Sequence, residues 1–219
     1  MRAMRRLLVV SVLLALLATG SALAAAGDPQ KKLTPADQAR ARAMLLRKAD
    51  LGLGYQSIPS GEPSFGACEA LDESDLTLTG EAKTPTFSSG LLTVSTVAAV
   101  YESRSDANAS WKRGTSRAGE ACLRNNVRRE FAKGGLKLLS LRRAVFPRLA
   151  QKTIAYRVAL AGQSQGVTIR VYIDFVVLQQ SRAQAAVFFG SAIDPLEMPE
   201  RLRLARLVGA RMAKAMRGA

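Results

Sequence analysis

The chain has 219 residues, 32 Lys and Arg against 17 Asp and Glu, a formal net charge of +15, two cysteines and no histidine. Without imidazole, Ser-His-Asp and Cys-His hydrolases are excluded, and the common zinc sites lose their usual nitrogen ligand. The basic balance suits anionic surfaces such as lipid headgroups, wall polymers and nucleic acid without selecting among them, and the Arg, Ala and Leu bias of a GC-rich genome accounts for it equally.

Arg2, Arg5 and Arg6 precede an uncharged apolar run from Leu7, and Ala22-Leu23-Ala24 supplies small residues at signal-peptidase spacing. Residues 1–26 are expected to be a signal peptide cleaved after Ala24 or Ala26, making the mature protein secreted or extracytoplasmic. An uncleaved N-terminal membrane anchor is the alternative, since about 20 apolar residues span a bilayer. Cleavage would remove three arginines, lower the net charge from +15 to +12 and leave about 195 residues, enough for one core.

Residues 27–53 read as a leader and a short helix. Thr34-Pro35-Ala36-Asp37 gives an N-cap, a first-turn proline and an early acid; the helix is expected to reach about Lys48, with Ala39, Ala43 and Leu46 on one face, and to stop at Gly52 and Gly54. Residues 54–219 read as a single α+β domain that opens on an irregular segment, 54–67. Residues 74–82 and 91–102 follow as neighbouring strands. The segment 105–133 reads as a helical or twice-broken helical stretch carrying Trp111, Leu123, Val127 and Phe131, with Cys122 on its buried side; a strand over 136–146 is closed by Pro147.

Ile154, Tyr156, Val158 and Leu160 alternate, and Val167, Ile169, Val171, Ile173, Phe175 and Val177 repeat the pattern across a loop holding Gly162 and Gly166. Centring the turn between Gln163 and Ser164 pairs Tyr156 with Val171 and Val158 with Ile169. A further strand, 182–189, leads to a helix opened by Pro199-Glu200, running to about Met216 with Leu204, Leu207, Val208 and Met212 as its core stripe. The expected architecture is an antiparallel sheet of five to six strands with helices packed against it.

Cys68 and Cys122 are an even pair in an oxidising compartment, so one disulfide is expected, with two separate thiols as the alternative. Closing a loop of about 55 residues is worth about 4 kcal/mol in the chain-entropy picture. No phosphate loop, dinucleotide fingerprint or nucleophile elbow occurs, and no cofactor or metal site is expected.

Several short motifs come in a recognisable order. Asp50-Leu51-Gly52, the early Cys68, Leu76-Thr77-Leu78-Thr79-Gly80-Glu81-Ala82 and Phe87 precede Ser95-Thr96-Val97 and Val100-Tyr101-Glu102-Ser103. Asp106-Ala107, Cys122-Leu123, Ala155-Tyr156-Arg157-Val158 and Tyr172-Ile173-Asp174 complete the series. Over residues 45–212 the chain resembles exported actinobacterial-type proteins of unknown role that are similar to the extracellular sensor domains of receptor serine/threonine kinases. That resemblance implies a sensor-like α+β domain, helices against an antiparallel sheet, and a cleft that receives a ligand. The chain departs from the kinase sensors in having one possible disulfide instead of two, and in lacking a kinase and a lipid-anchored cysteine.

The face of the hairpin opposite its apolar rows carries Arg157 beside Arg170, with Tyr172 and Asp174 farther along and Ala155 and Ala159 between. Such a floor suits an anionic or hydroxylated ligand, the arginines gripping carboxylate or phosphate with two hydrogen bonds each; an ordinary solvated face is the alternative. On the last helix Arg203, Arg206, Lys214 and Arg217, with Arg211 at the boundary, form a basic stripe that suits anionic membrane or wall polymer, or simply solvent. Asp72, Glu73 and Asp75 lie in an acidic stretch, six acids without Lys or Arg between Glu62 and Glu81, which reads as a loop drawn to the basic remainder. The expected function is an exported, non-enzymatic domain binding an envelope ligand or protein, with no specific nucleic-acid binding. A carboxylate-based envelope hydrolase and a structural protein held electrostatically are the alternatives, and a cleft pairing two acids would speak for the hydrolase.

Overall fold

The computed structural model of the protein describes residues 27–59, 68–164 and 166–218; residues 1–26, where a signal peptide is expected, and residues 60–67 of the irregular segment lie outside the described residues. A two-residue strand, β1 (Gln30–Lys31), leads into α1 (Pro35–Met44). There the Asp37 amide donates to the Thr34 hydroxyl at 3.2 Å and Pro35 fills the first turn, as their order predicts. The helix is shorter than expected and turned about its axis: Asp37, Ala41 and Met44 face inward, leaving Ala39 and Ala43 exposed. Next come β2 (Gln56–Ile58), β3 (Thr77–Lys83), β4 (Thr86–Ser89) and β5 (Leu92–Tyr101).

Two helices, α2 (Arg104–Thr115) and α3 (Arg117–Lys133), fill the next segment with a single break at Ser116, whose extended backbone ends the first helix while its hydroxyl accepts the Gly119 amide at 2.9 Å and caps the second. The chain continues through β6 (Lys137–Ala144), β7 (Lys152–Ser164), β8 (Val167–Gln180) and β9 (Ala183–Ala192) to α4 (Met198–Ala215).

The strands form one sheet in the order β1-β3-β5-β9-β8-β7-β6, with β4 also paired to β5 and β2 to β4. The β1–β3 pair is parallel and the others are antiparallel. The class is α+β, as expected, but among the described residues there are nine strands; β1, β2 and β4, of two to four residues, are too short for alternation to reveal. The hairpin register also differs. Ser164 pairs with Val167, so the turn is two residues long, and it includes Gly166 at φ 78°. Tyr156 therefore faces Phe175 and Val158 faces Ile173, four positions beyond the expected partners. An even shift keeps every side chain on its expected face.

Both faces of the central strands are covered. On one, Leu123, Val127 and Phe131 of α3 pack on Tyr156, Val158, Phe175 and Phe188, with Tyr156 stacked on Phe175 at 5.0 Å. On the other, Ala41 and Met44 of α1 and Leu204, Val208 and Met212 of α4 pack on Val176, Leu178 and Val187. Gly80 lets α1 lie this close to β3, since a β-carbon there would collide with the Asp37 carbonyl oxygen. On the outer edge, β6 carries a β-bulge between Leu138 and Ser140. Cys68 and Cys122 form the expected disulfide; it ties the short helical turn Glu69–Leu71 to α3, and Cys122 is half-buried. No helix among the described residues is long and apolar enough to cross a membrane.

Candidate ligand-binding cleft

The four polar residues singled out on the hairpin share one face, as expected, but they do not form an open floor. Arg157 faces Asp174 directly and grips it through Nε–Oδ1 at 2.7 Å and Nη2–Oδ2 at 2.9 Å. Arg201, one turn into α4, brings Nη1 to 3.1 Å from the same carboxylate, so the helix closes over Asp174, which is 2% exposed. Tyr172 lies one pair farther on, opposite Ala159 and half-buried; Arg170 lies beyond it, opposite Ala161 and exposed, not beside Arg157. Bonding to Asp174 raises the Arg157 pKa, whereas burial lowers that of Arg201. Arg201 escaped the sequence reading, although its spacing to Leu204, Val208 and Met212 puts it on the apolar stripe, where a charge implies a buried partner.

The other basic and acidic candidates are largely paired. Arg203 binds Glu200 at 2.7 Å and the Asp50 carbonyl at 2.9 Å, and Arg211 holds the Asp50 carboxylate at 2.7 and 2.9 Å, leaving Arg206, Lys214 and Arg217 as exposed members of the stripe. Arg113 of α2 clamps Asp75 at 2.6 and 2.7 Å and donates to the Asp72 carbonyl at 2.7 Å, so the acidic stretch is indeed drawn to a basic helix.

Glu73 takes a different course. It faces a cleft of about 630 Å³ between the sheet and the α2–α3 pair, walled by Leu78, Val97, Trp111, Leu123, Phe175 and Val177. One part of that wall is polar. The Tyr101 hydroxyl, at the end of β5, lies 3.0 Å from Glu73 Oε2 and 2.8 Å from Ser110 Oγ on α2. Gln184 of β9 continues the chain, with its Oε1 3.5 Å from Ser110 and its Nε2 donating to the Ala107 carbonyl at 2.7 Å. Burial pushes the Glu73 carboxyl up, against the downward pull of Ser110, Tyr101 and the Arg113 charge. Burial and the Glu73 charge push the Tyr101 phenol up as well.

Elsewhere in the wall the Tyr156 hydroxyl donates to Glu120 at 2.7 Å, and Lys31 pairs with Glu81 at 2.7 Å. The disulfide braces this architecture, because Leu71 and Glu73 follow Cys68 closely while Gly119 and Leu123 flank Cys122. The cleft could not be assembled from sequence: Glu73, Tyr101, Ser110 and Gln184 come from four separate segments, and nothing in the acidic stretch set Glu73 apart from Asp72 and Asp75.

No family model matches the chain, and no curated protein matches it. Among solved structures it is similar to the crystal structure of LpqN, involved in cell envelope biogenesis of Mycobacterium tuberculosis, at 11% sequence identity and a TM-score of 0.28, over 73% of this chain and 87% of that one.

Proposed function

We propose that the protein is an exported, non-enzymatic domain of the cell envelope that binds a ligand in the cleft between its sheet and the α2–α3 pair. The carrying observation is the cleft itself: about 630 Å³ with mainly apolar walls and one convergent group of hydrogen-bonding side chains, the common form of a small-molecule site. The basic, apolar, Ala-x-Ala order of residues 1–26 and the Cys68–Cys122 disulfide support an extracytoplasmic location. A two-carboxylate hydrolase is less well served, because Asp75, the acid whose charge acts on Glu73, is held by Arg113, and Glu81 of the cleft wall is held by Lys31. Trp111 is the only tryptophan and lines the cleft, so its emission reports occupancy. Titrating the mature protein with defined envelope amphiphiles should shift that emission, and Ala99→Phe, which fills the cleft, should abolish the response. Emission unmoved by every amphiphile would sink the proposal.

A second reading rests on the hairpin face, where Arg157 and Arg201 supply two guanidiniums to one carboxylate and Arg201 Nε is buried without a hydrogen-bond partner among the described residues. A phosphate-bearing or carboxylate-bearing ligand held there with Arg170 and Tyr172 would balance the excess charge. Phosphate-induced stabilisation that survives 0.3 M NaCl and is lost in Arg170→Ala would support it; a response that vanishes with salt would not.

A further inference from the structure

We infer that the cleft takes an uncharged, hydroxylated amphiphile, its hydrocarbon body along Leu78, Val97, Leu123 and Phe175 and its hydroxyl head at Glu73, Tyr101 and Ser110, and that it turns away a carboxylate-headed amphiphile of the same length. This rests on the reading of the cleft as the binding site. The wall residues named offer only hydrocarbon and aromatic surface, so the body that fills them gains by leaving water and needs no polar partner.

The head is selected by the groups waiting for it. Glu73, Tyr101, Ser110 and Gln184 offer both hydrogen-bond donors and acceptors, which a hydroxyl, itself donor and acceptor, can satisfy together. A carboxylate would bring a second negative charge beside Glu73 with no guanidinium turned to meet it, because both Nη atoms of Arg113 are engaged by Asp75. Of the two lysines farther along the wall, Lys31 is paired with Glu81 and Lys83 is engaged as well. Desolvation raises the Glu73 pKa, in keeping with a site that disfavours charge. An ammonium head would have to strip its own hydration to reach this partly buried carboxyl, a far larger cost than a hydroxyl bears when its hydrogen bonds are replaced.

The experiment compares monodecanoylglycerol, decanoate and decyltrimethylammonium on the mature protein at pH 7.5, each below its micelle concentration, with Trp111 emission and thermal shift as readouts. Monodecanoylglycerol should bind at least about 10-fold more tightly than decanoate, and Tyr101→Phe should weaken it by about 5-fold through loss of one hydrogen bond. Glu73→Gln should raise decanoate affinity and so narrow the glyceride's advantage over it, because the amide removes the charge that repels the carboxylate head. Should that variant fail to fold, the wild-type ranking alone decides the matter. Decanoate or the ammonium binding as tightly as the glyceride overturns the head-group assignment while leaving the cleft as the site. Binding by none of the three, with Trp111 emission unmoved, overturns both.

Discussion

Asp37 and Arg182, 145 residues apart, close a two-pronged ion pair at 2.8 and 2.9 Å that pins α1 across the sheet to the turn before β9. Thr79 donates to the same carboxylate at 2.6 Å, and Arg182 also holds the Tyr101 carbonyl at 2.7 Å, so the helix, the end of β5 and the cleft's polar cluster share one anchor. Asp37 is 4% exposed, and removing Arg182 leaves its carboxylate buried with only Arg40 and Thr79 to hold it. Arg182→Met should lower the unfolding free energy by about 3 kcal/mol, read from urea titration at pH 7.

The same pair sets an acid limit. Bonding to Arg182, helped by Thr79 and Arg40 and opposed by burial, holds the Asp37 carboxyl well below its unfolded value of about 3.9. The unfolded chain then binds more protons in acid, so this stabilisation is complete above about pH 4 and is lost progressively below it. Asp37→Asn lacks that dependence. Its deficit against the wild type should narrow between pH 5 and pH 2.5 in denaturant midpoints; a constant deficit would contradict the assignment.

Glu73 carries the opposite sign. Burial raises its folded carboxyl above the unfolded value of about 4.3, so the native state binds the extra proton and stability falls as pH rises from there through the folded value. Glu73→Gln keeps an acceptor for Tyr101 without the charge. Its melting temperature relative to the wild type should climb between pH 4 and pH 7, and a difference independent of pH would show that Glu73 is not desolvated as described.

The disulfide spans 54 positions, and the paired substitution Cys68→Ser and Cys122→Ser should cost about 2–4 kcal/mol by freeing the denatured chain. Because it also untethers Leu71 and Glu73 from α3, amphiphile affinity should fall even at temperatures where the variant remains folded. Two titratable thiols in the native protein would refute the bridge.

Arg157 and Arg170 should separate sharply. Arg157→Ala strips the buried Asp174 of its two-bond partner and leaves only Arg201, a loss of about 2 kcal/mol; Arg170→Ala, on the exposed part of the hairpin, should stay within about 0.5 kcal/mol. Equal effects in urea unfolding would mean that burial of the pair contributes nothing distinctive.

The contrast between those two arginines also shows where sequence reasoning stops. Alternation from Ile154 to Val177 identified both strands and both faces, because side chains reverse with every residue whatever the partner. The partner depends on the turn, and Gly162 was misleading there: it belongs to β7, where a β-carbon would come within 2.5 Å of Leu136 Cδ2, so the position answers a packing need and not a bend. Gly166 makes the turn, and Arg157 moves from Arg170 to Asp174. The last helix was legible in its stripe of Leu204, Val208 and Met212, yet Arg201 on that stripe and the assembly around Glu73 depend on which elements cover each face. Local periodicity does not carry that information.

The sheet's margins bear on how copies of the protein coexist at high concentration. An outer strand with straight, unpaired amides is a template on which another molecule can add a strand. Here β6 is broken by its bulge between Leu138 and Ser140 and presents exposed Lys137, Arg142 and Arg143, while the opposite margin ends in two short strands, β1 of two residues and β2 of three. A second molecule approaching β6 would meet like charge and a bulged backbone, and one approaching the other margin would find strands too short to pair along its length, so the surfaces that build the sheet within one molecule resist extending it into a fibre.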